Sequence, residues 1–178
     1  MESDWLEKCR EGDPVAIEKM VQTFQKDVYH MALSILDDPD EAEDCTQETF
    51  LAVSRSFASF RGDSAFKTWL LSITINACRS RLRRGKYRSR LQQILDSLFQ
   101  LHVEQDPLEK TTIQNEAEAE LWHAIGSLGI KHRIPIVLRY YHDLPVADIA
   151  ALLNIPAGTV HSRLNQAREK LRTLVKDE

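Results

Sequence analysis

Between Gly158 and Arg172 the sequence GTVHSRLNQAREKLR sorts its side chains by face. At about 100° per residue, Val160, Leu164, Ala167 and Leu171 gather on one side of a helix. Gly158, His161, Ser162, Asn165 and Gln166 fall opposite, with Thr159, Arg163 and Arg168 on the flanks. That face is rich in donors and acceptors, and no acid stands in its first two turns. Asn, Gln and Arg of this kind read base edges in a major groove, while Arg, Ser and Thr hold phosphates. The bland reading is an exposed face of a helical hairpin. The residues just upstream weigh against it. Ile149, Leu152 and Leu153 give a preceding helix its inward face, and Ala150 is small where two helices would cross. Asn154 can take the left-handed conformation that ends a helix, and Pro156 can open the next. This is a helix-turn-helix layout, which by itself leaves open a repressor, an activator or a recombinase.

Three further groupings could do chemistry. From Asp37 to Glu48 there are seven acids and no base; from Arg79 to Arg90 there are seven bases and no acid. Either run alone reads as a solvated face, but two opposite runs in one small chain point to two partners, and the basic one permits nucleic acid. On a helix, Asp40, Asp44, Gln47 and Leu51 form one stripe flanked by Glu43 and Glu48, with Ala42, Cys45, Ala52 and Val53 on the buried side. An acidic stripe with one apolar residue suits a basic, helical protein partner. The third grouping is the loop Phe60-Arg61-Gly62-Asp63-Ser64, which offers tight glycine geometry and an aromatic that can stack on an unpaired base. Phe66 and Trp69, just beyond it, read as core.

The elements that must position these groups are helical nearly throughout. Asp13-Pro14 and Asp38-Pro39 are cap-plus-proline starts, the second with Glu41 at the capping-box position, and a third start lies at Asp63-Ser64. Phe66, Trp69, Leu70, Ile73 and Ala77 then carry an amphipathic helix into the arginines. The expected fold is all-α: a helical bundle over residues 1–86, a flexible linker over 87–112 with room for one helix, and a second small helical unit over 113–178. That second unit holds eight bases and eight acids, so it is formally neutral.

Composition narrows the function. With 43% hydrophobic and 28% charged residues in 178, the chain is an ordinary globular protein. No apolar run approaches the ~18–20 residues that cross a bilayer, so no membrane insertion is expected. The N-terminus lacks the apolar stretch of a secretory signal. Cys9, Cys45 and Cys78 include no CxxC pair and read as reduced thiols of a cytoplasmic protein. The six histidines are scattered, and no nucleotide-binding glycine loop or metal-ligand spacing stands out. Neither a catalytic residue nor a metal or other cofactor is expected.

Three motifs together resemble one family, the small two-domain extracytoplasmic function (ECF) sigma factors of bacterial RNA polymerase. Asp40-EAEDCTQETF is similar to the family's acidic region 2.2. Phe60-RGDSAFKTWL with Ile75-Asn76 is similar to regions 2.3 and 2.4, and Gly158-TVHSRLNQAREKLR, preceded by Asp148-IAALLNIP, to region 4.2. They cover both units in the family's order.

The resemblance implies a transcription initiation subunit, not an enzyme, with a sigma2-like bundle and a sigma4-like helix-turn-helix domain. It places Asp40, Glu43, Asp44, Gln47, Glu48 and Leu51 on the β′ clamp helices of core RNA polymerase, with the β flap as a further contact. It places Phe60, Arg61, Asp63, Ser64, Asn76, Arg79, Arg83 and Arg84 on the −10 element of promoter DNA, where a base is flipped out. Thr159, His161, Ser162, Arg163, Asn165, Gln166 and Arg168 would face the −35 element. An anti-sigma factor is a further possible partner, and control is expected in synthesis or in such a partner. Two departures stand out. His161 replaces a usual Lys or Arg, which implies weaker or pH-sensitive phosphate attraction. Ser127-Leu128-Gly129-Ile130 with Pro135 implies a helix that starts late or bends. The competing reading is an independent helix-turn-helix repressor or activator; no heptad seam for the dimer it would need stands out.

Overall fold

A computed structural model describes residues 2–99 and 116–176. The described residues form eight α-helices and one 3-10 turn, and no strand is found among them. They are α1 (Glu2–Arg10), α2 (Pro14–Leu36), α3 (Pro39–Ser56), the turn Phe57–Ser59, α4 (Phe66–Phe99), α5 (Glu116–Gly126), α6 (Ile130–Tyr140), α7 (Val146–Leu153) and α8 (Ala157–Lys176).

The caps at Asp13 and Asp38 are in place, while α4 starts at Phe66, two residues after the start read at Asp63-Ser64. Asp13 accepts a hydrogen bond from the Val15 N–H at 2.9 Å, and Asp38 from the Glu41 N–H at 2.9 Å, each ahead of a proline that opens its helix. The carboxylate of Glu41 goes to Arg81 on α4 instead of completing a capping box. Asn154 adopts φ 54°, ψ 51° and closes α7, and the Pro156 carbonyl accepts from Thr159 and Val160 to start α8. Gly62, at φ +80°, supplies the left-handed residue in the loop after the 3-10 turn.

α6 begins directly after Gly129, whose carbonyl accepts from His132 and Arg133, and it carries Pro135 inside; there is no late start. α4 runs on through residues 87–99, which the sequence reading assigned to a linker, because Gly85 costs only ~1 kcal/mol in a helix interior. Residues 100–112 of that linker lie outside the described residues.

Two cores hold the helices. The first gathers Cys9, Met20, Val28, Val53, Phe57, Phe60, Phe66 and Leu70 at the end of the bundle where α1 packs. The second is continuous across the two halves: Met31, Ile35, Leu71 and Ile75 share it with Ile136, Leu138, Ile149 and Val160. The units expected to be joined only by a linker are therefore docked, with α2 lying along α6. Polar ties follow the seam. Arg133 donates to Asp37 at 2.5 Å, and His30 Nδ1 lies 2.5 Å from the Tyr141 hydroxyl. The Trp122 ring sits 4.6 Å from that of His30. His142, its side chain fully buried, lies 3.6 Å from Asp27, which also pairs with Lys67 at 3.1 Å. Burial pushes the Asp27 carboxyl up, but His142 and Lys67 together outweigh it and hold it below the usual carboxylate range. Burial pushes the His142 imidazole down.

Candidate nucleic-acid and protein-binding surfaces

α3 presents its acids outward because Ala42, Cys45, Thr49 and Val53 are drawn into the core. Ala52 is only half-buried. Asp40, Glu43, Asp44 and Gln47 are exposed, and so is Leu51 at 56%, an apolar residue left uncovered at the C-terminal end of the stripe. Burial together with Glu43 and Asp40 pushes the Tyr29 hydroxyl up.

Glu48 is not a free member of this stripe. Arg81 donates to its two carboxylate oxygens at 3.1 and 2.8 Å, also bonds Glu41, and stands 3.6 Å from Asp44. This bidentate pairing holds the Glu48 carboxyl below its usual range and raises Arg81. The acidic and basic runs, read as two separate surfaces, therefore meet along the α3–α4 seam. Arg81 was missed as a functional residue, because its pairing with Glu48, 33 positions away, appears only when α4 is laid against α3.

The loop between the 3-10 turn and α4 divides in two. Arg61, Asp63 and Ser64 are exposed, as expected. Phe60 is not. It is 5% exposed, with its ring 5.6 Å from Phe66 in a T-shaped contact and 5.0 Å from Trp69. An aromatic at the edge of a cluster that already holds Trp5, Phe24, Phe57, Phe66 and Trp69 buries more area inward than it would on solvent. In this conformation it is a floor beneath the loop, not a stacking surface. Its carbonyl accepts from Arg10 Nη2 at 2.5 Å, so α1 braces the loop from below, a contact the sequence did not signal. Phe66 and Trp69 pack in the core as read. Asn76 is exposed on α4, as are Arg83 and Arg84; Arg83 donates to Ser80, and Arg84 stands 3.9 Å from Glu48.

α8 has the two-sided character read from its sequence. Val160, Leu164 and Ala167 are buried and Leu171 half-buried; His161, Ser162, Asn165, Gln166 and Arg168 are exposed, with Thr159 and Arg163 half-buried. Arg168 donates to Asn165, and Gln166 approaches Ser162 at 3.4 Å, so the polar face is internally linked. Arg163 does not lie with these residues on open surface. It lines a cleft between the two halves with Arg79 of α4, over an apolar floor that includes Ile35, Ile75, Ile134 and Leu153.

Residues 20–88 match the family described as Sigma-70 region 2, and residues 118–171 the one described as Sigma-70, region 4. The sigma-E factor of Salmonella typhimurium is 32% identical over 93% of this chain and 90% of its own length. The chain belongs to the ECF RNA polymerase sigma factors. The sigma-H factor of Pseudomonas aeruginosa is 31% identical over 93% of the chain and 89% of its own, and SigW of Bacillus subtilis 29% over 97% and 95%. Among solved structures, the sigma factor RpoE of Bartonella quintana, determined with the anti-sigma factor NepR, superposes with a TM-score of 0.71 at 25% identity. That match covers 89% of this sigma factor and 96% of the other. CnrH, determined with the cytosolic domain of CnrY, shares the fold at a TM-score of 0.66 and 23% identity, over 98% and 96%. No described helix is long and apolar enough to cross a membrane.

Proposed function

We propose that this sigma factor binds core RNA polymerase through the outward face of α3 and carries it to promoters read at two elements. Asp40, Glu43, Asp44, Gln47 and Leu51 form the polymerase contact, and Glu48 shapes it through Arg81. The loop Arg61–Ser64, set on Phe60, receives an unpaired base of the −10 element, and Asn76, Arg79, Arg83 and Arg84 follow the strand. Thr159, His161, Ser162, Arg163, Asn165, Gln166 and Arg168 face the −35 element. The chain works in the cytoplasm without a cofactor or catalysis of its own. What carries this reading is the pairing of a region 2 match and a region 4 match with an acidic stripe on α3 that ends in exposed Leu51 and an acid-poor polar face at the start of α8.

The docked halves fit this function as the off-promoter form. Elements centred about 25 base pairs apart lie ~85 Å from each other at 3.4 Å per step. Arg79 and Arg163, assigned to different elements, share one cleft. Reading both at once requires α2 and α6 to separate.

Mixing the purified chain with sigma-free core polymerase tests the assignment. A stoichiometric complex on gel filtration that charge reversal at Asp40 and Glu43 weakens at least tenfold supports it. Complex formation indifferent to those two residues overturns the α3 contact.

A further inference from the structure

Cys45 on α3 and Cys78 on α4 are both fully buried, and their sulfurs stand 3.3 Å apart. Cys9 belongs to the other core and is not part of this pair. A disulfide needs ~2.05 Å between sulfurs, so the two have little more than an ångström to close. The pair lies one turn beneath the Arg81 bridge: Cys45 sits between Glu41 and Glu48 on α3, and Cys78 one turn before Arg81 on α4. Nothing in polymerase binding or promoter reading uses these thiols.

We propose that Cys45 and Cys78 are an oxidisable dithiol, which hydrogen peroxide converts to a disulfide that ties α3, the helix proposed to bind polymerase, to α4. The hydrogen bond from Cys78, aided by Arg81, favours the thiolate at Cys45 over burial, which opposes it; the same hydrogen bond and burial push the Cys78 thiol up. Either sulfur can donate to the other across this contact, and these effects favour Cys45 as the attacking one. Its thiolate attacks one peroxide oxygen; the S–O bond forms, the O–O bond breaks, and the departing hydroxide takes up a proton as water. The Cys78 thiol then gives up its proton and its sulfur attacks the Cys45 sulfenic acid. The S–S bond forms, the S–O bond breaks, and a second water leaves. Two thiols and one peroxide become one disulfide and two waters, the two electrons passing to the peroxide. Burial of both sulfurs confines the reaction to oxidants small enough to enter the helix seam and excludes glutathione-sized disulfides. In a reducing compartment such a bond is transient.

The test uses the full chain as Cys9→Ser, folded, exposed to hydrogen peroxide and then alkylated in denaturant. Expected is the loss of both alkylatable thiols with a mass decrease of two hydrogens, reversed by dithiothreitol. Cys78→Ser in the same background strands the sulfenic acid on Cys45, captured by dimedone, and Cys45→Ser captures none. Oxidised glutathione leaves the native chain unchanged. If the folded Cys9→Ser chain keeps both thiols under peroxide and loses them only after unfolding, the pair is inert packing and the proposal falls. Should the serine variants fail to fold, the mass of the Cys9→Ser chain alone still decides. None of these readouts involves polymerase or DNA, so the outcome stands apart from the promoter-reading assignment.

Discussion

Arg79 and Arg163, proposed here to serve the −10 and −35 elements respectively, line one cleft. The cleft exists because α2 and α6 share a continuous apolar core, tied at its edge by Asp37 with Arg133 and by His30 with Tyr141. Docking leaves His161, Ser162, Asn165, Gln166 and Arg168 exposed but draws Arg163 away from them into the cleft. Their half is formally neutral over residues 113–178, so it gains little from counterion release. On the proposed function, polymerase supplies the effective concentration at the promoter.

Loosening the seam should open the free chain. Asp37 holds a left-handed backbone, φ 60°, that Asn tolerates. Asp37→Asn keeps that backbone and the acceptor oxygen but removes the charge that faces Arg133, at a cost of about 0.5–1 kcal/mol. Combined with His30→Ala, it should raise the radius of gyration in small-angle scattering and strengthen DNA binding by the isolated chain. An unchanged radius would show that the docked form does not restrain the reader.

Acids on α3 should divide by role. Asp40→Lys and Glu43→Lys weaken core polymerase binding and leave the melting temperature alone. Glu48→Gln does the reverse first: it weakens the hold on Arg81, which keeps Glu41, and costs about 0.5–1 kcal/mol of stability at this partly exposed pair. Thermal denaturation beside polymerase titration separates the two.

Phe60 should behave as core. Phe60→Ala costs about 3–5 kcal/mol, as for other buried aromatics, and lowers activity through the fold. Arg61→Ala and Asn76→Ala keep the melting temperature and slow open-complex formation, measured by permanganate reactivity of unpaired thymines. A stable Phe60→Ala chain defective only in melting would return Phe60 to the stacking role.

Acid should weaken the seam. Burial depresses the His142 imidazole below its ordinary 6.5, with Asp27, Lys67 and Asp143 as the charges acting on it, and burial likewise depresses His132 between α6 and α8. A histidine that titrates lower when folded contributes stability above its unfolded value and loses it as pH falls through the folded one. Asp27, also depressed, loses its contribution only in stronger acid. The melting temperature should therefore drop as pH falls from 7.5 to 5.5, by about 2–4 °C per kcal/mol lost. His142→Phe should flatten part of that slope.

Much of this was legible in the residues. Helix-start signals at Asp13-Pro14 and Asp38-Pro39, the Asn154 turn and the two-sided α8 follow from local propensity and period, and each is where the sequence puts it. What local pattern could not reveal is long-range. Phe60 looks the same in sequence whether its ring faces a base or Phe66, because only the aromatic cluster decides. Arg81 reads as one more phosphate-binding arginine until α3 is laid against α4. Residues 87–99 lose their apolar period, yet the helix continues, since charged and leucine-rich stretches alike favour helix. The docking of α6 on α2 joins positions about 100 apart in the chain and leaves no periodic trace.

Run-off transcription with sigma-free core polymerase tests the central claim most directly. Added to core, this chain should start transcripts at one position of a matched promoter, and scrambling either the −10 or the −35 element should remove them. Arg163→Ala should lower the yield and flatten its salt dependence while core binding holds. Transcription indifferent to both elements, or tight sequence-specific DNA binding by the chain alone at physiological salt without any effect on core polymerase, would contradict it.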